Sequence, residues 1–289
     1  VFLGTVASAF FHSYASFLQS FARSIVVPSP AACAKCPYAT SSAVCCEDVG
    51  AEEEDEDEEL RKEEVEAIMA RIGLGVAGAG EGRVLMVSGS QPTPCRSPTG
   101  DHVLTRLLKN KADYCRVHGF DIFYSNAVLD AEMNGFWTKL PLLRALMVAH
   151  PEVELLWWVD SDAVLTDMDF RLPLRRYRGH NFVVNGWPSL VYDEASPSWT
   201  GLNASVFLVR NCQWSLDFMD AWAAMGPDSP DYRRWGAVLT STFRDKVFNE
   251  SDDQSALVYL LATERDRWGD KVFLESAYHL HGFWEEIVG

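Results

Sequence analysis

Two carboxylates with clear chemical potential stand at the end of a short apolar run. Residues 155–159 read Leu-Leu-Trp-Trp-Val, and Asp160, Ser161 and Asp162 follow directly. A run that is apolar throughout is typical of a parallel strand buried on both faces. Ligands of open α/β sheets bind beyond the carboxyl ends of such strands, where paired carboxylates are costly unless a cation compensates them. Asp160 and Asp162 are therefore candidate ligands for a divalent Mn²⁺ or Mg²⁺; the alternative is that one of them caps a helix.

Alternating strands and helices would position this carboxylate pair. The predicted strands are residues 84–87, 120–124, 155–159, 182–184 and 206–209, and the predicted helices are residues 101–118, 136–150, 214–225 and 254–262. The first five of these elements follow the order strand, helix, strand, helix, strand, which indicates parallel βαβ units. The sequence thus predicts an α/β fold with a Rossmann-like, mostly parallel sheet flanked by helices.

Composition allows a full hydrophobic core and argues against a nucleic-acid partner. The chain has 289 residues, of which 48% are hydrophobic and 12% aromatic. Its net charge is −16, and eleven acidic and two basic residues between positions 52 and 66 account for −9 of it. No basic footprint of the kind that binds nucleic acid is present in the sequence. An anionic substrate would therefore need a cation to mediate its binding.

The first 82 residues differ from the rest in amino-acid composition and charge. Residues 1–28 are apolar and aromatic, and Arg23 is their one strong charge. A stretch of this kind is long enough for a signal-anchor that spans a bilayer, although a cleaved signal peptide or a buried or interfacial helix is also compatible with it. Residues 29–82 predict an acidic low-complexity linker, because the eight consecutive acids at 52–59 repel one another and stay solvated.

Cysteines and glycosylation motifs add weaker signals. Cys33 and Cys36 have zinc-like spacing but lack a second such pair, and three later cysteines stand singly, as buried thiols would. Two Asn-X-Ser motifs, at Asn203 and Asn249, permit N-glycosylation if the chain is exported.

A series of short motifs between residues 83 and 288 is specific for one family. They are Ser88-Gly89-Ser90-Gln91-Pro92, Gly100-Asp101-His102, Lys109-Asn110-Lys111, Asp113-Tyr114-Cys115-Arg116, Phe136-Trp137-Thr138-Lys139-Leu140-Pro141, Asp160-Ser161-Asp162, Gly201-Leu202-Asn203, Arg210-Asn211-Cys212-Gln213-Trp214, Asp252-Asp253-Gln254-Ser255 and His281-Gly282-Phe283-Trp284. On these motifs the chain resembles the plant glycosyltransferase family 34, which contains xyloglucan xylosyltransferases and galactomannan galactosyltransferases. The resemblance implies one GT-A type catalytic domain over residues 83–289. It also implies a type II Golgi membrane enzyme with a lumenal catalytic domain, a UDP-sugar donor, Mn²⁺ and transfer with retention.

The resemblance further implies a set of donor-binding residues. They are Ser88, Gly89, Ser90, Gln91, Lys139, Ser161 and His281. The small residues after the first strand would let backbone N–H groups approach a nucleotide, although an ordinary turn is the alternative. Lys139 is either a donor ligand or a solvated surface charge. His281, beside aromatic residues, is either a substrate contact or part of the core, and it is a less favoured metal ligand.

Asp253 and Gln254 are the candidate catalytic residues. They open a predicted helix, where acids also complement the helix dipole without any catalytic role. Retaining transfer needs negative charge near an oxocarbenium-like centre, as glycosidases show by analogy. The resemblance places an Asp and a Gln against the reacting face, and this favours Asp253 and Gln254.

The donor, the acceptor and the end of the chain leave alternatives open. Residues 129–133 and 281–284 are more similar to the xylosyl branch, and residues 169–177 and 229–232 to the galactosyl branch. Transfer of xylose to O6 of a β-1,4-glucan is favoured, and α-1,6-galactosyl transfer to mannan is the alternative. Family members continue with a later His-bearing segment, so we expect a chain truncated at its C-terminus. A non-catalytic partner subunit, in a homo- or hetero-oligomer of related transferases, is therefore a third possibility.

Overall fold

A six-stranded sheet forms the centre of the protein. The computed structural model describes residues 83–193, 197–278 and 280. The predicted signal-anchor at 1–28, the predicted linker at 29–82 and His281 lie outside the described residues. The strands are β1 (Val84–Gly89), β2 (Asp121–Ser125), β3 (Leu155–Val159), β4 (Phe182–Gly186), β5 (Leu202–Arg210) and β6 (Val272–Glu275). Their order across the sheet is β2-β1-β3-β5-β4-β6.

The sheet is mostly parallel. Strand β1 runs parallel to both β2 and β3, and β4 runs parallel to β6. Strand β5 alone runs against its two neighbours, β3 and β4. With the helices that cover it, this sheet confirms the α/β class that the sequence predicts.

Helices cover both faces of the sheet. They are α1 (Pro98–His118), α2 (Lys139–Ala149), α3 (Pro188–Val191), α4 (Gln213–Ala223), α5 (Tyr232–Thr242), α6 (Asp253–Thr263) and α7 (Arg265–Trp268), with short 3₁₀ turns at Gly135–Thr138, Leu174–Tyr177 and Gly269–Lys271. The four helices predicted from the sequence are present within a few residues of their predicted bounds. Helix α5 and strand β6 were not predicted. None of the described helices is both long and apolar enough to cross a membrane.

Local chemistry explains where α1 begins and ends. The Ser97 side chain accepts a hydrogen bond from the Thr99 N–H, and Pro98 occupies the first turn, where its missing N–H costs nothing. The helix ends at Gly119, whose φ of 70° lies in the left-handed region that glycine tolerates. This helix therefore has a fixed register against the sheet.

Each face of the sheet has its own apolar cluster, and different helices contribute to each. On one face Tyr114 and Cys115 of α1 pack on Met86 and Trp157 of the sheet. On the other face α2, α4 and α6 share the second cluster, with Phe218 and Trp222 of α4 fully buried. Val103 of α1 lies outside this packing, since 45% of this residue is exposed. Cys115 is a buried thiol, as predicted, whereas Cys95 and Cys212 are only half-buried and free.

Candidate functional site

Asp160 lies at the carboxyl edge of the sheet, one residue after β3. Its backbone N–H donates to the Ser205 carbonyl at 2.9 Å, which continues the pairing of β3 with β5. The Trp158 indole N–H donates to Asp160 Oδ1 at 2.6 Å. Residues 161–162 form a turn, and the next helical residues are those of the 3₁₀ turn that starts at Leu174. Asp160 and Asp162 do not cap a helix, so the helix-capping alternative is wrong.

The two carboxylates of this turn differ in exposure. The Asp160 side chain is 29% exposed and therefore partly buried, whereas Asp162 is an exposed residue. Within the described residues, no three side chains of His, Cys, Asp or Glu come close enough to hold a metal by themselves. A divalent ion at Asp160 and Asp162 would therefore need further ligands from a diphosphate, from water or from side chains outside the described residues. Such an open, oxygen-rich site fits Mg²⁺ or Mn²⁺ bound together with a phosphate ligand.

Lys139 connects Asp160 to the candidate catalytic residues. It is the first residue of α2, and only 5% of its side chain is exposed. Its Nζ lies 2.7 Å from Asp253 Oδ2 and 3.6 Å from Asp160 Oδ1, and it donates to the Ala204 carbonyl at 2.9 Å. Lys139 is thus a buried charge bound on three sides, and the surface-charge alternative is wrong.

Burial and neighbouring charges shift the pKa values of Lys139 and Asp253 in opposite directions. Burial alone would lower the pKa of Lys139, but the charges of Asp253 and Asp160 raise it above its ordinary value. Burial raises the pKa of Asp253, and the Lys139 ammonium opposes that rise. The ammonium is therefore the group that permits a carboxylate at this buried position.

The three residues that open α6 have different roles. Asp252 is the N-cap, because its carboxylate accepts from the Ser255 N–H at 2.9 Å, and it also lies 2.5 Å from Lys246 Nζ. The helix-terminus interpretation therefore applies to Asp252. Asp253 instead faces Lys139 and is 5% exposed.

The side-chain amide of Gln254 forms hydrogen bonds with the backbone next to the Lys139 cluster. Its Oε1 accepts from the Ala204 N–H at 3.2 Å, and its Nε2 donates to the Trp199 carbonyl at 3.1 Å. Ala204 is consequently held on its N–H side by Gln254 and on its carbonyl side by Lys139. The structure thus brings Asp160, Lys139 and Asp253 into contact and links Gln254 to them through one residue of β5.

The predicted nucleotide loop leaves the same edge of the sheet from the neighbouring strand. Val87 of β1 pairs with Trp158 of β3, two residues before the end of β1 and two before Asp160. Ser88 is fully buried, and its hydroxyl has no hydrogen-bond partner among the described residues. A Cβ at Gly89 would lie 2.6 Å from the Ser125 carbonyl oxygen, so this position requires glycine.

The last two residues of this loop are more open. The Ser90 N–H donates to the Ser125 carbonyl at 3.0 Å. Gln91 is exposed, and its amide lies against Cys95 Sγ at 3.1 Å. The close approach at Gly89 is to Ser125 of β2, and Gln91 is the exposed end of the loop. His281 lies outside the described residues, so its predicted role remains a prediction.

One site residue had no role in the sequence analysis. Lys111 of α1 is fully buried, and its Nζ donates to the carbonyls of Ser161 at 3.1 Å and Ala163 at 2.6 Å. Burial lowers the pKa of Lys111 to about 8, while the charges of Asp162 and Asp160 oppose that shift. The sequence held a signal for it, since Lys111 fills a gap in the apolar stripe of α1.

Comparison with known proteins assigns the family. The sequence pattern of the galactosyl transferase GMA12/MNN10 family, glycosyltransferase family 34, matches residues 80–281. The chain belongs to this family of glycosyltransferases. The matched range contains the whole cluster around Lys139, from β1 to the end of β6.

Several plant proteins are similar to this chain over its C-terminal three quarters. "Probable glycosyltransferase 7" of Oryza sativa subsp. indica is 70% identical over 214 residues, which are 74% of this chain and 47% of that protein. "Galactomannan galactosyltransferase 1" of Cyamopsis tetragonoloba is 59% identical over 211 residues, 73% of this chain and 48% of that protein. "Glycosyltransferase 6" of Arabidopsis thaliana is 56% identical over 209 residues, 72% of this chain and 48% of that protein. The chain thus spans about half the length of these relatives.

Among solved structures, a glycosyltransferase involved in the glycosylation of the major capsid of PBCV-1 is similar to this chain. The TM-score is 0.43 and the sequence identity 13%, over 67% of this chain and 82% of that one.

Proposed function

We propose that this chain is the catalytic part of a retaining glycosyltransferase that moves a sugar from a UDP-sugar to a plant cell-wall glycan. The observation that carries the proposal is the contact of Lys139 with both Asp253 and Asp160 at the carboxyl edge of the sheet. A buried cation between two carboxylates is costly to maintain for stability alone. Its position, where α/β folds bind ligands, supports a role in binding and transfer.

The diphosphate of the donor is proposed to bind over Asp160 and Asp162. Mn²⁺, or Mg²⁺ in its place, would neutralise the diphosphate and make UDP a better leaving group. Hydrogen bonds to the Trp158 indole and to the Ser205 carbonyl hold Asp160 in place. The adjoining loop of Ser88 to Gln91, together with Ser161, would contact the nucleotide.

The sugar is proposed to lie against Asp253. The Lys139 ammonium keeps negative charge on Asp253 in a buried setting, and that charge would stabilise an oxocarbenium-like centre. Gln254 is held by Ala204 and Trp199, so it fixes the position of α6 and still has one amide hydrogen to donate. In retaining transfer the bond from C1 to the UDP oxygen breaks, the acceptor oxygen bonds to C1 from the same face, and the acceptor's hydroxyl proton passes to the departing UDP.

Galactose is the first candidate for the transferred sugar. The plant relative with 59% identity is named as a galactomannan galactosyltransferase, which supports UDP-galactose as donor and O6 of a β-1,4-mannan as acceptor. Xylose transfer to a β-1,4-glucan, which the sequence analysis favours, is the second candidate. It is supported by the similarity of residues 129–133 to the xylosyl branch.

A donor and acceptor panel tests the proposal. Residues 80–289 would be incubated with UDP-galactose, UDP-xylose or UDP-glucose and with mannan or glucan oligosaccharides, with Mn²⁺, Mg²⁺ or a chelator. We expect UDP-galactose with mannan to give the most product, and the chelator to remove it. Product from UDP-xylose with glucan would favour the second candidate. UDP binding without transfer to any acceptor would support the partner-subunit alternative, and no UDP binding would contradict the proposed function.

We further propose a Golgi location with the catalytic domain in the lumen, in an assembly with its own kind or with related transferases. The apolar residues 1–28 and the two Asn-X-Ser motifs support export. Asn249 is exposed, whereas Asn203 is half-buried, and its side chain accepts from the Ser205 N–H near the site. A fluorescent fusion that stays in the cytosol would contradict this location. A glycan mapped to Asn249 but not to Asn203 would support it.

A further inference from the structure

One helix holds the backbone that follows the Asp160 turn. Residues 160–173 contain no helix or strand, so their carbonyl groups need partners from elsewhere. Four side chains of α1 bind five of these carbonyls: Lys111 binds those of Ser161 and Ala163, Asn110 that of Leu165, His118 that of Met168 and Tyr114 that of Phe170. We call these four side chains of α1 the clamp.

The clamp is most specific at Leu165 and at the Asp160 turn. Asn110 donates to the Leu165 carbonyl at 3.0 Å and accepts from the Leu165 N–H at 2.8 Å, so its amide pairs with the backbone as a strand would. Lys111 binds two carbonyls that flank Asp162, one on each side. The exposed Asp162 therefore projects from a backbone that is fixed from below.

We propose that Lys111 is a positioning residue that sets the backbone of the Asp160-Ser161-Asp162 turn for binding the metal–diphosphate group. The inference rests on the proposed function. It gives a role to the Lys109-Asn110-Lys111 motif, which forms no part of the Lys139 cluster and meets the proposed donor site only where Lys111 binds the backbone of the turn. A charged donor is suited to this task because its hydrogen bonds are about twice as strong as neutral ones.

A purely structural role and a purely electrostatic role predict different results. If Lys111 only satisfied buried carbonyls, its loss would lower stability and leave the binding of UDP unchanged. If its charge mattered only through repulsion of the cation, its loss would tighten binding, because a positive charge near Asp160 and Asp162 would be gone. Positioning predicts weaker binding, since the Asp162 carboxylate would then sample geometries that do not suit the ion.

The test compares Lys111→Met with the matched control Lys109→Met. Lys109 lies on the same helix two residues away, but 74% of its side chain is exposed, and Asp113 is its only ion-pair partner among the described residues. Each variant of residues 80–289 would be titrated with UDP at saturating Mn²⁺ by calorimetry. Hydrogen exchange would be followed at the amides of Ala163 and Leu165, which report on the clamp without any ligand.

We expect Lys111→Met to bind UDP about tenfold more weakly, or by about 1.4 kcal/mol, and to exchange the two amides faster. Lys111→Arg, which keeps the charge and the donors, should recover most of the affinity, and Lys109→Met should match the unaltered chain. Unchanged or tighter binding by a folded Lys111→Met protein would overturn the inference. If Lys111→Met does not fold, Asn110→Ala replaces it with an expected loss of about threefold, and unchanged affinity would again overturn the inference.

The exchange measurement separates this inference from the proposed function. If the unaltered chain binds no UDP with Mn²⁺ or Mg²⁺, the proposed function is wrong whatever the variants do. Unchanged exchange at Ala163 and Leu165 in Lys111→Met would show that Lys111 does not hold the turn, and the inference would be wrong on its own terms.

Discussion

Replacement of Lys139 by Met should destabilise the protein strongly, because it leaves a buried carboxylate without its cation. The side chains of Lys139 and Asp253 are 5% and 7% exposed and lie 2.7 Å apart. The same substitution removes the donor to the Ala204 carbonyl. Met preserves the length and apolar stem of Lys, so the change tests the charge rather than the packing.

The expected loss follows from the partners that remain. Removal of one member of a buried ion pair costs about 3–5 kcal/mol, since the other charge stays buried and uncompensated. The orphaned Ala204 carbonyl is part of that cost. Against a total stability of about 5–15 kcal/mol for a domain, the variant should remain folded but unfold at much lower urea.

The loss should depend on pH in a definite direction. Without the ammonium, nothing opposes the effect of burial, so the pKa of Asp253 in the folded variant rises further above its unfolded value of about 4. A group whose pKa is higher in the folded than in the unfolded state contributes stability in its protonated form. That contribution is complete below the unfolded-state pKa and is lost as pH rises through the folded-state pKa. The variant should therefore be closer to the unaltered chain at pH 5.5 than at pH 8.

Urea unfolding of residues 80–289 at both pH values provides the assay, with Lys109→Met as the control. The exposed Lys109 pairs only at the surface, and its loss should cost less than about 0.5 kcal/mol at either pH. A loss below about 1 kcal/mol for Lys139→Met would refute the reasoning. An equal loss at pH 5.5 and pH 8 would show that Asp253 does not take up a proton in the variant.

Three further outcomes follow from the same geometry. Asp160→Asn and Asp162→Asn should each abolish metal-dependent UDP binding in calorimetry while the thermal unfolding midpoint stays nearly unchanged; unaltered affinity in both would contradict the metal assignment. Gly89→Ala should lower the free energy of unfolding by about 1–3 kcal/mol, because its Cβ would lie 2.6 Å from the Ser125 carbonyl oxygen. Burial raises the pKa of Cys115 to about 12, so at pH 8 the fraction present as thiolate is about a thousandfold lower in the folded protein than in the unfolded chain. If Cys115 in the folded protein were alkylated as fast as in urea, this prediction would be contradicted.

Elements with strong local patterns were predicted well from the sequence. Strand β3 has the predicted bounds, Leu155–Val159, because five consecutive apolar residues are compatible with few other structures. The position of Asp160 at the sheet edge follows from that strand alone. Helix α2 was also predicted, although its first turn is a 3₁₀ segment over Gly135–Thr138.

Strand direction and the extent of β5 could not be predicted in this way. Periodicity shows that a strand exists but does not fix the direction in which it runs, and β5 proved antiparallel to both neighbours. Its first half, Leu202 to Ser205, lacks the run of β-branched and aromatic residues that indicates a strand at 206–209. That half bears Ala204, the residue to which Lys139 and Gln254 both bind.

The partners of the two buried lysines are the second feature that could not be predicted from the sequence. Propensity and hydrophobicity assign Lys to the surface, where most lysines lie. Lys111 and Lys139 are buried because each meets carbonyl groups from irregular or edge backbone, and Lys139 meets two carboxylates as well. Those partners come from segments 21 to 114 residues away, so local patterns hold no information about them.

If the Lys139–Asp253 pair is kept for function, a chain without both charges should be nearly as stable as the original and inactive. Lys139→Met combined with Asp253→Leu replaces a buried ion pair by apolar side chains of similar volume, an exchange that is often neutral or stabilising by about 1–4 kcal/mol. The double variant should therefore regain most of the stability that Lys139→Met loses, yet transfer no sugar. Urea unfolding and the donor panel measure the two properties separately. A double variant as unstable as the single one would show that the pair is needed for folding itself, and retained transfer would remove Asp253 from the proposed mechanism.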